Sequence, residues 1–116
     1  MTKSIVIFAL CGIVANQPTP RIVVGAGTQS CGAWVEHRRL NSESDQIMAA
    51  ILSTWSQGFI VGVLSGIRMA GGAQLAYAPP DSPAVQGWLD NHCKAKPLET
   101  ILGASLQLVK ELLPEK

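Results

Sequence analysis

From Ile47 to Ile67 the chain carries no charged residue, and no other feature restricts its fold as much. Its N-terminal boundary reads as a helix start. Ser42 stands as an N-cap with Asp45 three positions on, the two halves of a capping box, and Glu43 and Asp45 suit the positive end of a helix dipole. Met48, Leu52, Trp55, Phe59, Val63 and Ile67 recur at helical spacing as one apolar stripe, and Ile51, Ile60 and Leu64 widen it. A helix of this kind is expected to be nearly surrounded. Along another line run Ala50, Thr54, Gly58, Gly62, Gly66 and Ala70, all small and four apart, a groove that admits a second backbone. Each helical glycine costs about 1 kcal/mol of propensity against alanine, which close packing is expected to offset. A membrane span has the same outline. Ser53, Thr54, Ser56, Gln57 and Ser65 argue against it, because a stretch diluted by such residues inserts poorly.

Shorter helices are expected on either side. Thr28 or Ser30 can cap a first one carrying Cys31, Trp34, Val35 and Arg38, with Asn41 and Ser42 breaking it. Gly71-Gly72 closes the long helix. Ala78-Pro79-Pro80-Asp81 is expected to turn before Ser82 caps a third, with Pro83 at its first position and Val85, Trp88, Leu89 and His92 on one face beside Cys93. Pro97 stops that helix and starts the next, which shows Leu98, Ile101, Leu102, Ser105, Leu108, Val109 and Leu112 inward and Gln107, Lys110 and Glu111 outward. The tryptophans Trp34, Trp55 and Trp88 fall one to a helix and are expected to meet as core.

The first fifteen residues read as a secretory leader. Lys3 gives a positive start, Ile5 to Leu10 an apolar segment, and Ile13-Val14-Ala15 a cleavage signal with a small residue last. Cysteine usage agrees, since removal of the leader takes Cys11 with it and leaves Cys31 and Cys93 as a pair. A bridge between them closes a long loop, and loop entropy values it at about 4 kcal/mol. Loss of Lys3 also reduces nine Lys and Arg to eight, against eight Asp and Glu, so the mature form has no formal net charge. Steering of DNA, RNA or anionic lipid is therefore not expected. The predicted organisation is a signal peptide over 1–15, an extended N-terminal arm over 16–28 and one α-helical domain over 29–116. The fold class is all-α, a compact bundle of about four helices with one disulfide.

Little in the chain points to catalysis. Val23-Val24-Gly25-Ala26-Gly27 follows a β-prone run, but the sixth position of a dinucleotide-loop match is Ser30, and no alternating strand and helix pattern follows. His37 and His92 have only Glu36 and Asp90 near them in sequence, too few groups for a metal or catalytic site. Ser65 lacks the flanking glycine of a nucleophile elbow, having Val63 two positions before it. The sequence predicts no catalytic residue, no metal and no cofactor.

Three groups of residues together carry a resemblance: Ser30-Cys31-Gly32-x-Trp34; Trp55-x-x-Gly58-Phe59-x-x-Gly62 with Ser65-Gly66; and Trp88-Leu89-Asp90-Asn91-His92-Cys93-x-x-x-Pro97-Leu98. From Ser30 to Leu113 the chain resembles the small periplasmic proteins of the Rap/Tai type VI secretion immunity family, and more loosely the HdeA/HdeB acid-stress chaperones. The resemblance implies an all-α periplasmic domain that often forms a homodimer and binds another protein, a cell-wall-degrading effector. The looser likeness implies a chaperone released by acid, although the few charges here give acid little to switch. A recognition surface is expected on the loops around Arg38-Arg39 and Gly71 to Asp81. Arg38, Arg39, Arg68 and Tyr77 are its candidate contacts, because arginine and tyrosine are enriched at interface hot spots. Trp34, Trp55, Gly58, Gly62, Gly66, Trp88 and Pro97 are assigned to the frame.

Overall fold

The computed structural model describes residues 25–71 and 78–114. The leader with Cys11, the segment Arg21 to Val24, Gly72 and Tyr77 lie outside them. A 3-10 turn over Gly25–Thr28 leads into four helices: α1 (Cys31–Leu40), α2 (Glu43–Met69), α3 (Ser82–Ala95) and α4 (Ile101–Leu112). The turn takes the place of the last part of the expected extended arm, and its Gly27 is buried. The fold is all-α, with α2 packed against the other three helices and α1 against α3.

Each helix begins on a side-chain cap. Ser30 accepts from the Ala33 amide, and the predicted box at Ser42 and Asp45 is complete in both directions. The cap of α3 is Asp81, not Ser82; it accepts from Ala84, and Ser82 and Pro83 form the first turn. α4 starts at Ile101 on a Thr100 cap, later than Pro97 suggested. Residues 97–100 instead form a link whose polar groups serve the start of α1. The Cys31 and Gly32 amides donate to the carbonyls of Glu99 and Pro97 at 2.6 and 2.8 Å, and Ile101 donates to Gln29 at 2.8 Å. Two helix starts thereby satisfy amides that have no partner inside their own helices. Gly32 allows the approach, since a Cβ there would stand 3.3 Å from the Pro97 oxygen. Leu98 sits in this link and is 94% exposed, which corrects its expected inward position.

A disulfide between Cys31 and Cys93 joins α1 to α3. Both cysteines are fully buried, with Trp34, Leu52, Ile60, Val85, Leu89, Ile101 and Ala104 around them in the core. The buried face of α2 differs from the stripe expected. It is formed by Ala49, Leu52, Ser53, Ser56, Ile60 and Leu64, while Met48, Trp55, Phe59, Val63 and Ile67 are only half-buried at its edge. Two serines belong inside because their hydroxyls are satisfied there. Ser56 is bonded to Ser105 of α4 at 2.7 Å, Ser105 donates to the Ile101 carbonyl at 2.7 Å, and Ser53 donates to the Ala50 carbonyl. A hydrogen-bonded pair of this kind removes most of the cost of burying a polar group.

The described residues do not surround α2. Only a third of its most apolar window is buried, and by length and composition it is the one helix among the described residues that matches a membrane span. The tryptophans share one core as expected, Trp34 inside it and Trp55 and Trp88 packed against it, but each ring has a different partner. Trp55 stacks on Phe59 and Trp88 on His92, while Trp34 lies buried beneath Arg38. Beyond α2, Ala70 and Gly71 end the helix, with Gly71 at a φ of +77° that favours glycine.

Candidate functional site

Only Asn41 and Ser42 separate α1 from α2, and this short connection builds a polar corner. Asn41 adopts the left-handed conformation (φ 54°) and donates its amide to the His37 carbonyl, while Ser42 caps the next helix. His37, Arg38 and Arg39 therefore stand beside the first turns of α2. His37 Nδ1 lies 2.8 Å from Asp45 Oδ1. The Asp45 carboxyl is held below its ordinary range, first by the Ser42 hydroxyl and then by His37.

Arg38 is committed to the frame. Its Nε and Nη2 donate to the two carboxylate oxygens of Asp90 at 3.0 and 2.9 Å, a bidentate fork. The same Asp90 accepts from Trp34 Nε1 at 3.0 Å, and the guanidinium lies 5.3 Å from the Trp34 ring centre. Arg39 pairs with Glu36 one turn back on the exposed side of α1; its hydrogen bond lowers the carboxyl's pKa. Arg68 is exposed near the far end of α2 and makes no ion pair among the described residues. It lies about 39 Å along the helix from Ser42 at 1.5 Å per residue. One chain thus brings Arg38 and Arg39 together but not Arg68, and Tyr77 lies outside the described residues.

Between the three helices at this corner is a cleft of about 220 Å³, lined by His37, Arg38 and Asn41, by Gln46, Ala49 and Ala50 of α2, and by Gln86 of α3. Gln46 donates to the Asn41 carbonyl and Gln86 to Ser82 Oγ. Their side-chain carbonyls and the whole Asn41 side-chain amide make no hydrogen bond among the described residues. The cleft therefore offers neutral donors and acceptors, the groups that pair with a peptide main chain. No family model, curated protein or solved structure matches the chain.

At the opposite end of α3, His92 Nε2 lies 3.1 Å from Glu99 Oε2 and its ring stacks on Trp88, whose Nε1 donates to Glu111 at 2.8 Å. This group ties α3 to the link and to α4. The two histidines thus belong to separate pairs, and no three His, Cys, Asp or Glu side chains cluster at metal-binding distance among the described residues. The amides of Gln46 and Gln86 were not legible as site residues, because no spacing in the sequence marks them.

The other unusual surface is the outward face of α2. A Cβ added at Gly58, Gly62 or Gly66 would meet nothing within 4 Å, so the groove of small residues is open among the described residues. Ile47, Ile51 and Met69 on the same helix are 56%, 48% and 88% exposed. Close packing does not offset these glycines among the described residues.

Proposed function

We propose that the chain is a small exported protein of the immunity or inhibitor type, which binds a secreted effector in the periplasm and occludes it. The observation that carries this reading is the amide-lined cleft at the α1–α2 corner. It is mounted on helix ends fixed by a two-residue connection, a capping box and the Arg38–Asp90–Trp34 contacts. A surface ordered before binding loses little entropy on association, which favours a tight inhibitor. Neutral amides with unused hydrogen-bonding capacity suit an inserted polypeptide loop. The chaperone reading has less support, since the exposed apolar residues of α2 need no acid to uncover them.

The test is inhibition of cell-wall hydrolases encoded beside this gene. The purified exported protein is expected to bind one of them and suppress its hydrolysis of peptidoglycan. Asn41→Gly combined with Gln86→Leu keeps the left-handed cap while removing two amides. Loss of two modest hydrogen bonds should weaken binding roughly tenfold or more. Unchanged affinity in that variant would move the site elsewhere, and inhibition of no such enzyme would overturn the function.

A further inference from the structure

α2 and α4 meet at the Ser56–Ser105 pair, and each helix has two flanks beside that line. At about 100° per residue, Gln46, Ala50 and Gln57 stand on one flank of α2, and Trp55 and Phe59 on the other. The first flank belongs to α1 and α3, since Gln57 donates to the Pro80 carbonyl just before α3, and Gln46 and Ala50 line the corner cleft. On α4, Glu111 reaches Trp88 of α3 from one flank, which leaves Leu102, Leu106 and Leu113 on the other. These leucines therefore face the same side as Trp55 and Phe59, the side away from α3. The stacked rings of Trp55 and Phe59, with Leu102 and Leu113, are half-buried, and Leu106 is 42% exposed.

Gly25, the first described residue, stands at this apolar groove. The turn Gly25–Thr28 packs against α2 and α4; its Gly27 is buried and its Ala26 lies on the core. Because α3 fills the junction of α2 and α4 on its own flank, the turn occupies the other. Its direction is set by the antiparallel pairing of Ser30 with Thr100 and by the Ile101 amide, which donates to the Gln29 carbonyl. Followed backwards from Gln29, the chain runs toward the C-terminal end of α4. Four 3-10 residues rise about 8 Å and five residues of α4 about 7.5 Å, so Gly25 comes level with Leu106. Thr28 Oγ1 donates to the Gly25 carbonyl at 2.7 Å, which fixes the point of departure.

We propose that the groove between α2 and α4 is the docking site of the chain's own N-terminal arm, the segment Arg21-Ile22-Val23-Val24 directly before Gly25. Length and chemistry both match. α4 advances about 10 Å from Leu106 to Leu113, and three extended residues span about 10 Å. Alternate side chains of an extended segment point the same way. Val24 thus lies against Leu106 and Ile22 against Leu113, with Trp55 and Phe59 as the facing wall and Val23 turned outward. Arg21 then stands at the C-terminal end of α4, where the helix dipole favours a cation. The arm closes the apolar flank, and the polar corner on the flank of α1 and α3 stays open. The inference does not depend on what binds at that corner.

Methyl-labelled exported protein is expected to give nuclear Overhauser contacts from Val24 to Leu106 and from Ile22 to Leu113. In a sample mixing labelled and unlabelled chains, these contacts are expected to stay within one chain. Ile22→Ser and Val24→Ser each remove an apolar side chain from the groove; together they are expected to lower the folding equilibrium constant in urea at least tenfold. Val23→Ser is expected to change it less than twofold. The arm lies outside all four helices, so each variant is expected to keep the helical circular dichroism of the wild type. Contacts of Ile22 and Val24 with Ile47 or Ile51 instead, contacts between chains only, no contacts at all, or a Val23→Ser effect equal to that of the double variant would each overturn the proposal.

Discussion

Replacing Ser105 by alanine should destabilise the protein more than replacing Ser56, although the two hydroxyls are bonded to each other. Both are fully buried, and their oxygens lie 2.7 Å apart. Ser105 has one proton, and it is directed at the Ile101 carbonyl at 2.7 Å. Ser56 must therefore be the donor between the two serines. Ser105→Ala removes the acceptor and leaves the buried Ser56 proton without it, a cost of about 1–3 kcal/mol. Ser56→Ala removes one bond from a Ser105 that still reaches Ile101, a cost of about 0.5–1.5 kcal/mol. The double variant leaves no polar side chain at that contact and should resemble Ser56→Ala alone, giving a coupling as large as the Ser105→Ala effect itself, about 1–3 kcal/mol. Urea unfolding of the four proteins, with unchanged slope, measures all of these quantities. Equal single effects that simply add would refute the assigned direction of the chain of hydroxyls.

Other consequences follow from the contacts between helices. Asp90→Ala should cost more than Arg38→Ala, by about 1–2 kcal/mol in urea unfolding, because it also strands the buried Trp34 N–H, whereas the Arg38 pair is partly exposed and screened. Asp45 is a carboxyl whose pKa is lowered in the fold, so its contribution is present above the unfolded pKa near 4 and is lost as pH falls through the lower folded value. Acid titration of stability should show this loss, with a smaller slope in Asp45→Asn. Replacing Cys31 and Cys93 by alanine should cost up to about 4 kcal/mol from loop entropy, a large part of the whole stability of a small domain. Thermal melting of the reduced and oxidised wild type provides the same comparison.

What the sequence revealed follows the range of the interactions involved. The Ser42–Asp45 box and the Asn41 break were legible because a cap acts over three or four residues. The existence of the long helix was equally plain from its apolar repeat. Its phase was not, since apolar side chains surround so much of the cylinder that Ser56 could be placed inside only by knowing that Ser105 faces it. Pro97 looked like a helix start because proline tolerates a first turn; the competing use, a link whose carbonyls cap α1, depends on chain brought back from Ser30. Arg38 was readable as an exposed arginine, but its commitment to Asp90 spans fifty-two positions. The glycine line was recognised as a groove from spacing alone, and its openness required the other helices to be in place.

One covalent tie, between Cys31 and Cys93, joins the frame, and the proposed function adds that the chain is exported and loses its leader. Intact-mass measurement of the protein recovered from the periplasm, alkylated before and after reduction, tests this most directly. The account predicts a chain lacking the leader, no adduct before reduction and two afterwards, at Cys31 and Cys93. A full-length chain, or one whose two cysteines react freely without reductant, would contradict it.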